Sequence, residues 1–294
     1  MFREINWKNL EHSEIERQYS PSSVIGGNYF PFIEEYTRVS NLVAGSFNVI
    51  ECVYGPGSTN TLDLILPQNC SEKTPVPLVV FIHGGYWQEL SKKESLFLGK
   101  QILDEGYAFA AIDYSLCPSV TLEEIVDECR MSISWLKSSG ALYNFDPENI
   151  ILTGSSAGAH LAAMCSIKYD GDSANHSYLP AATVLVSGIY ELEPLIHTSV
   201  NDALKMNKDS ALSLSPMFKG LGSFPKTLIA WGENETDEFK SQSRTFAKNL
   251  MDYGVCVETY EVSARNHFDV ILDLAKKNTS LGNRFYKLLE DVCS

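Results

Sequence analysis

Short, continuously apolar segments alternate with segments of helical periodicity through most of this 294-residue chain. Strands buried on both faces read this way, and a mostly parallel sheet covered on each side by helices is the architecture that accommodates them. Residues 77–83, 107–112, 150–153, 183–186, 227–231 and 255–260 carry the strand signal. Helices are predicted over 91–104, capped by Ser91, over 121–137, from 157 to about 167, over 238–251 and over 283–292. Thr121-x-x-Glu124 has the form of a capping box. Ahead of this α/β succession, residues 47–54 and 61–66 alternate in polarity and are joined by Gly55-Pro56-Gly57, so an antiparallel β-hairpin leads in. Residues 1–45 are mixed in character, with a turn-rich stretch from Pro21 to Pro31, and are expected to form an N-terminal arm. Residues 188–225 are too long for a simple crossover and are expected to form a cap over the strand ends. Together these predict one domain over 1–294, of the doubly covered α/β class.

The charge balance narrows the partners. Lys and Arg number 23 against 37 Asp and Glu, a formal net charge of −14, which disfavours nucleic acid or an anionic membrane surface. A small-molecule substrate is expected, and a homodimer is left open. No apolar run reaches the length of a membrane span. Residues 1–10 carry Arg3, Glu4 and Lys8 where a signal peptide needs a continuous apolar stretch, so a cytoplasmic or nuclear location is expected. The seven cysteines are odd in number and widely spaced, without a C-x-x-C pair or zinc-ligand spacing. They read as reduced thiols, and neither a metal nor a cofactor is implied.

Two motifs carry chemistry. Gly154-Ser155-Ser156-Ala157-Gly158 is a G-x-S-x-G that follows a predicted strand and opens a predicted helix. In that context the serine sits on a sharp turn with its hydroxyl projecting above the sheet, while the glycines allow strand and helix to approach closely. His83-Gly84-Gly85-Tyr86-Trp87 follows another apolar strand. Glycines there bring backbone N–H groups close enough to stabilise an oxyanion, so Gly84, Gly85 and Ala157 are the candidate donors. His83 reads as a structural residue of this loop.

In a nucleophile-elbow hydrolase the acid and then the histidine follow the serine along the chain. His160 lies one turn into the nucleophile helix, and His176 and His197 lie in polar surroundings. His267, in a loop before the C-terminal helix, is the candidate base. The acid is expected after the strand 227–231, where Glu233, Glu235, Asp237 and Glu238 compete and spacing does not choose. Asp237, just ahead of a helix predicted to begin at Glu238, is well placed as an N-cap, which favours Glu235 for the acid.

These residues resemble the arylformamidases, or kynurenine formamidases, of the α/β-hydrolase superfamily. Residues 83–87 look like that family's HGGxW loop. Similar segments include Tyr19-Ser20-Pro21-Ser22, Ser187-Gly188-Ile189-Tyr190, Glu238-Phe239-Lys240-Ser241-Gln242-Ser243 and His267-Phe268-Asp269. The resemblance runs from about residue 19 to 290 and implies an α/β-hydrolase fold and a triad of Ser156, Glu235 and His267. Family members usually carry aspartate where Glu235 stands. It further implies hydrolysis of N-formyl-L-kynurenine to L-kynurenine and formate, a step of tryptophan catabolism, through a formyl-serine intermediate and without a cofactor. Tyr86, Trp87 and Tyr190 are the aromatic candidates for the leaving-group pocket. A general carboxylesterase or lipase-like hydrolase on the same fold is the alternative, since fold does not determine substrate.

Overall fold

A computed structural model describes residues 7–68, 70–168 and 178–293; Arg3, Glu4 and His176 lie outside the described residues. The N-terminal region holds α1 (His12–Gln18) and α2 (Phe30–Ser46), followed by β1 (Ile50–Val53), β2 (Thr61–Ile65) and β3 (Val76–Ile82). Next come α3 (Gly99–Asp104), β4 (Ala108–Ile112), α4 (Leu122–Tyr143), β5 (Phe145–Ser155), α5 (Ala157–Cys165) and β6 (Ala182–Val186). Two short helices, α6 (Asn201–Leu204) and α7 (Lys208–Ser213), precede β7 (Lys226–Asn234), α8 (Asp237–Asp252), β8 (Val257–Asn266) and α9 (Ser280–Cys293).

One eight-stranded sheet has the order β1-β2-β4-β3-β5-β6-β7-β8. β2 runs antiparallel to β1 and β4, and every pairing from β4 through β8 is parallel. This is an α/β-hydrolase fold, as the sequence pattern and the resemblance predict. Alternate residues of the central strands feed two cores. Leu78, Val80, Ile150 and Leu152 face α4, α5 and α8, whereas Val79, Phe81, Ile151 and Val184 face α2, α3 and α9. The predicted capping box opens α4: the Thr121 hydroxyl accepts from the Glu124 N–H, and Glu124 accepts from the Thr121 N–H.

Three expectations are corrected. The single helix predicted over 91–104 is two 3-10 turns, Lys92–Glu94 and Leu96–Leu98, before α3; Ser91 caps only the first turn, and Ser95 donates back to the Ser91 carbonyl. Pro31, read as part of a turn-rich arm, stands at the start of α2, where its missing N–H has no helical partner to lose. β8 continues six residues past Tyr260 because Trp231 and Gly232 of β7 pair with Glu261 and Val262. Among the described residues no helix is long and apolar enough to cross a membrane.

Candidate active site

The order of the strands turns back between β3 and β5. The connections that leave β3, β5, β6, β7 and β8 gather at the carboxyl ends of the strands, where open α/β sheets bind ligands. Ile82 pairs with Gly154, Ser155 with Val186, and Gly232 with Val262. That register delivers Gly84, Ser156, Ser187, Glu235 and His267 to one rim.

Ser156 occupies the single position between β5 and α5, with φ 57° and ψ −121°. A non-glycine residue there stores roughly 1–3 kcal/mol of strain that its surroundings must hold. Its N–H donates to the Val186 carbonyl at 2.9 Å, and its own carbonyl accepts the N–H of Ala159 and His160. A Cβ on Gly158 would lie 2.0 Å from the Ile82 carbonyl oxygen, and one on Gly154 would lie 2.2 Å from the Gly158 oxygen. Only glycine lets α5 seat this closely on the sheet.

His267 directly follows β8. Its Nε2 lies 3.0 Å from Ser156 Oγ and its Nδ1 lies 2.9 Å from Glu235 Oε2. The other carboxylate oxygen of Glu235 accepts the Ser187 hydroxyl at 2.6 Å and the Gly232 N–H at 2.5 Å. All three side chains are more than nine-tenths buried. The edge of Phe239 packs against the imidazole with ring centroids 4.5 Å apart. Asp237 is exposed and is not the N-cap; Thr236 holds that position, and Asp237 begins α8, where a carboxylate complements the helix dipole. Glu233 accepts the Ala264 N–H and so is directed away from the imidazole.

The remaining described histidines with candidate positions are engaged elsewhere. His83 is buried, donates from Nδ1 to the Gly84 carbonyl and stacks on Tyr114 at 4.1 Å. His160 donates from Nε2 to the Leu214 carbonyl, and burial lowers its pKa to about 4, so it stays neutral. His197 lies against Trp7.

Gly84 rests against the elbow: a Cβ there would meet the Ser155 carbonyl oxygen at 2.9 Å and Ser156 Cβ at 3.2 Å. Gly85 has φ 95°, and Tyr86 and Trp87 follow in the left-handed region at 50° and 60°. The Ala157 N–H, at the first position of α5, has no acceptor within the helix.

Ser156, His267, Gly84, Gly85 and Tyr86 line a cavity of about 310 Å³. Its far wall is built by the N-terminal region through Glu16, Tyr19, Ser20, Tyr29, Ile33 and Tyr36, together with Phe268 and the loop residues Glu89 and Glu94. Tyr29 stacks on Phe268 and donates to the Glu89 carboxylate. Of the three aromatic candidates only Tyr86 reaches the cavity. Trp87 is fully buried with its ring edge-on to His160, and Tyr190 is fully buried on Phe246. The left-handed turn at residues 86 and 87 sends the indole beneath the loop. Tyr29, Tyr36 and Phe268 were not among the sequence candidates; the aromatic content of 29–36 was the available signal.

A strained serine at a strand-to-helix elbow, hydrogen-bonded to a histidine that a buried carboxylate orients, on a sheet of this order, defines an α/β hydrolase. Residues 62–250 match the BD-FAE family. The chain is 33% identical to the kynurenine formamidase of Danio rerio over 97% of its own length and 98% of the relative's. It is likewise 33% identical to that of Salmo salar, over 96% and 98%. The chain belongs to the kynurenine formamidase family. A crystal structure of a provisionally assigned thioesterase from Silicibacter sp. TM1040 superposes with a TM-score of 0.79 at 26% identity, covering 96% of this chain and 99% of that one.

Proposed function

We propose that the protein hydrolyses N-formyl-L-kynurenine to L-kynurenine and formate, with Ser156 as nucleophile, His267 as general base and acid, and Glu235 as the group that orients His267. The observation that supports the hydrolase part of this reading is the unbroken hydrogen-bond line Ser156–His267–Glu235, whose first two members line the cavity; the substrate part is supported by the 33% identity to kynurenine formamidases over nearly the whole chain. Its chemistry follows from the atoms. Ser156 Oγ attacks the formyl carbon as His267 Nε2 takes its proton, and the carbonyl oxygen becomes an oxyanion facing the N–H groups of Gly84, Gly85 and Ala157. Collapse breaks the C–N bond, and the imidazolium returns the proton to the departing arylamine nitrogen. That transfer is needed because an anilide anion is a poor leaving group. Water, deprotonated by the same imidazole, then attacks formyl-Ser156, and the imidazolium returns that proton to Ser156 Oγ as formate leaves. Glu235 keeps the proton on Nδ1 and stabilises the imidazolium.

The leaving group is the larger half of this substrate. The cavity suits it, with Tyr29, Tyr36, Tyr86 and Phe268 on its walls. Glu16, Glu89 and Glu94 line it and no Lys or Arg does among the described residues, so the lining suits the ammonium of the substrate's amino-acid end and leaves its carboxylate to neutral donors or solvent. The esterase alternative uses the same machinery, and the thioesterase likeness favours keeping it in view. An acyl series separates the two. Formyl anilides should turn over far faster than acetyl and butyryl analogues; equal rates for formyl and butyryl would assign the chain to the general esterases.

A further inference from the structure

Two segments singled out in the sequence, Tyr19-Ser20-Pro21-Ser22 and Glu238-Phe239-Lys240-Ser241-Gln242-Ser243, touch the site through the cavity wall and through Phe239, but no step described above uses their polar groups. In the fold they are each other's partners. Tyr19, buried at the end of α1, donates its hydroxyl to Glu238 Oε2 at 3.1 Å and accepts from Gln242 Nε2 at 3.0 Å. The preceding residue adds two bonds: the Gln18 carbonyl accepts the Thr236 hydroxyl at 2.6 Å, and Gln18 Oε1 accepts the Glu238 N–H at 3.1 Å. Gln242 Oε1 also accepts the N–H groups of Tyr190 and Glu191, two and three residues beyond Gly188. The end of α1 is therefore bolted to the first turns of α8, directly after Glu235.

The same residue reaches the other half of the site. The Tyr19 carbonyl accepts the hydroxyl of Tyr86, which lies in the loop carrying the candidate oxyanion donors. Tyr86 has a left-handed backbone, a conformation that persists in a non-glycine residue only when its surroundings over-determine it. On the Phe239 side, the helix held by Tyr19 also holds the imidazole of His267 in place.

We propose that Tyr19 is a positioning residue, which joins the oxyanion loop through Tyr86 to the acid-bearing start of α8 through Glu238 and Gln242, and so sets both sides of the site against Ser156. This rests on the serine-hydrolase reading but not on the identity of the substrate. The two links act in series on the loop; Gln18 runs beside the one to α8, so losing the Tyr19 hydroxyl loosens that link, whereas losing the Tyr86 hydroxyl breaks the other.

The test is a double-mutant cycle with Tyr19→Phe and Tyr86→Phe, each of which removes a hydroxyl and keeps the ring. Covalent labelling by a fluorophosphonate is measured beside kcat and KM for formate release, because the phosphoryl oxygen of the adduct needs the same N–H donors. Each variant should lower the labelling rate and kcat by about ten-fold with KM within about three-fold. The double variant should lose little more than the worse single one. Multiplicative losses, effects confined to KM, or unchanged labelling would overturn the proposal. If Tyr19→Phe does not fold, Tyr86→Phe decides the matter alone, since among the described residues its hydroxyl bonds the Tyr19 carbonyl: unchanged labelling there is a refutation. Should the wild-type protein release no formate, the labelling cycle still tests the clamp, and the substrate reading alone fails.

Discussion

Replacing Glu235 by glutamine preserves the size of the side chain but turns one acceptor oxygen into an NH2 donor. Two orientations are open to the amide. In the first, its oxygen stays where Oε1 accepts from the Ser187 hydroxyl and the Gly232 N–H, and the NH2 group faces His267 Nδ1. In the second, the oxygen faces the imidazole and the NH2 group opposes the Gly232 N–H, donor against donor at a site where the present separation is 2.5 Å. A buried N–H left unpaired costs about 1–3 kcal/mol, so the first orientation wins. It makes Nδ1 an acceptor and moves the imidazole proton to Nε2, where it blocks removal of the Ser156 proton. A neutral partner enforcing the wrong tautomer lowers kcat about 10⁴-fold in relays of this type, equivalent to about 5.5 kcal/mol in the barrier. The expected result for Glu235→Gln is a loss of about 10³- to 10⁴-fold in kcat for formate release, with thermal unfolding close to wild type. Asp237→Asn, at an exposed position in the first turn of α8, should stay within about three-fold. A Glu235→Gln variant within ten-fold of wild type, or a crippled Asp237→Asn beside it, would refute the reasoning.

Ser156→Ala and His267→Ala should each remove nearly all turnover, and Ser156→Ala all fluorophosphonate labelling, whereas Ser155→Ala should cost less than about ten-fold; a dead Ser155→Ala enzyme with active Ser156→Ala would contradict the elbow register. Gly158→Ala places a methyl 2.0 Å from a backbone oxygen of β3; overpacking of this kind costs about 1–3 kcal/mol or more, so chemical denaturation should show a loss at the upper end together with lost activity. Burial is the chief cause that raises the Glu238 carboxyl from 4.5 to about 7. The folded chain therefore holds that proton more tightly than the unfolded one, and the contribution is lost as pH rises from about 4.5 to 7. Denaturation of wild type against Glu238→Gln should diverge by about 3 kcal/mol across that window, to the disadvantage of wild type; a pH-independent difference would count against it.

The central strands were legible because burial on both faces leaves them almost wholly apolar: Leu78 to Ile82 and Ala108 to Ile112 are all apolar. Legibility fails where that condition fails. β8 lies at the edge of the sheet, and its charged residues Glu261 and Arg265 hide its continuation past Tyr260. α2 was hidden by Pro31, which signals a turn and a helix start equally well. At the site, the G-x-S-x-G motif marked the serine and chain order the histidine, since the topology of parallel strands brings successive strand ends to one rim. Spacing could not choose among the acids. Which carboxylate faces the imidazole depends on the β7–β8 register shift between Gly232 and Asn234 and on Ser187 from a third strand. The direction of the Trp87 side chain was likewise beyond sequence, because it follows from two consecutive positive φ angles.

The central claim is tested most directly by incubating the purified protein with N-formyl-L-kynurenine and quantifying formate and L-kynurenine together, with Ser156→Ala as the control. Equimolar release by the wild-type protein and none by the variant is the predicted result. Absence of formate release from a protein that still hydrolyses p-nitrophenyl acetate would contradict the claim and assign the same triad to ester substrates.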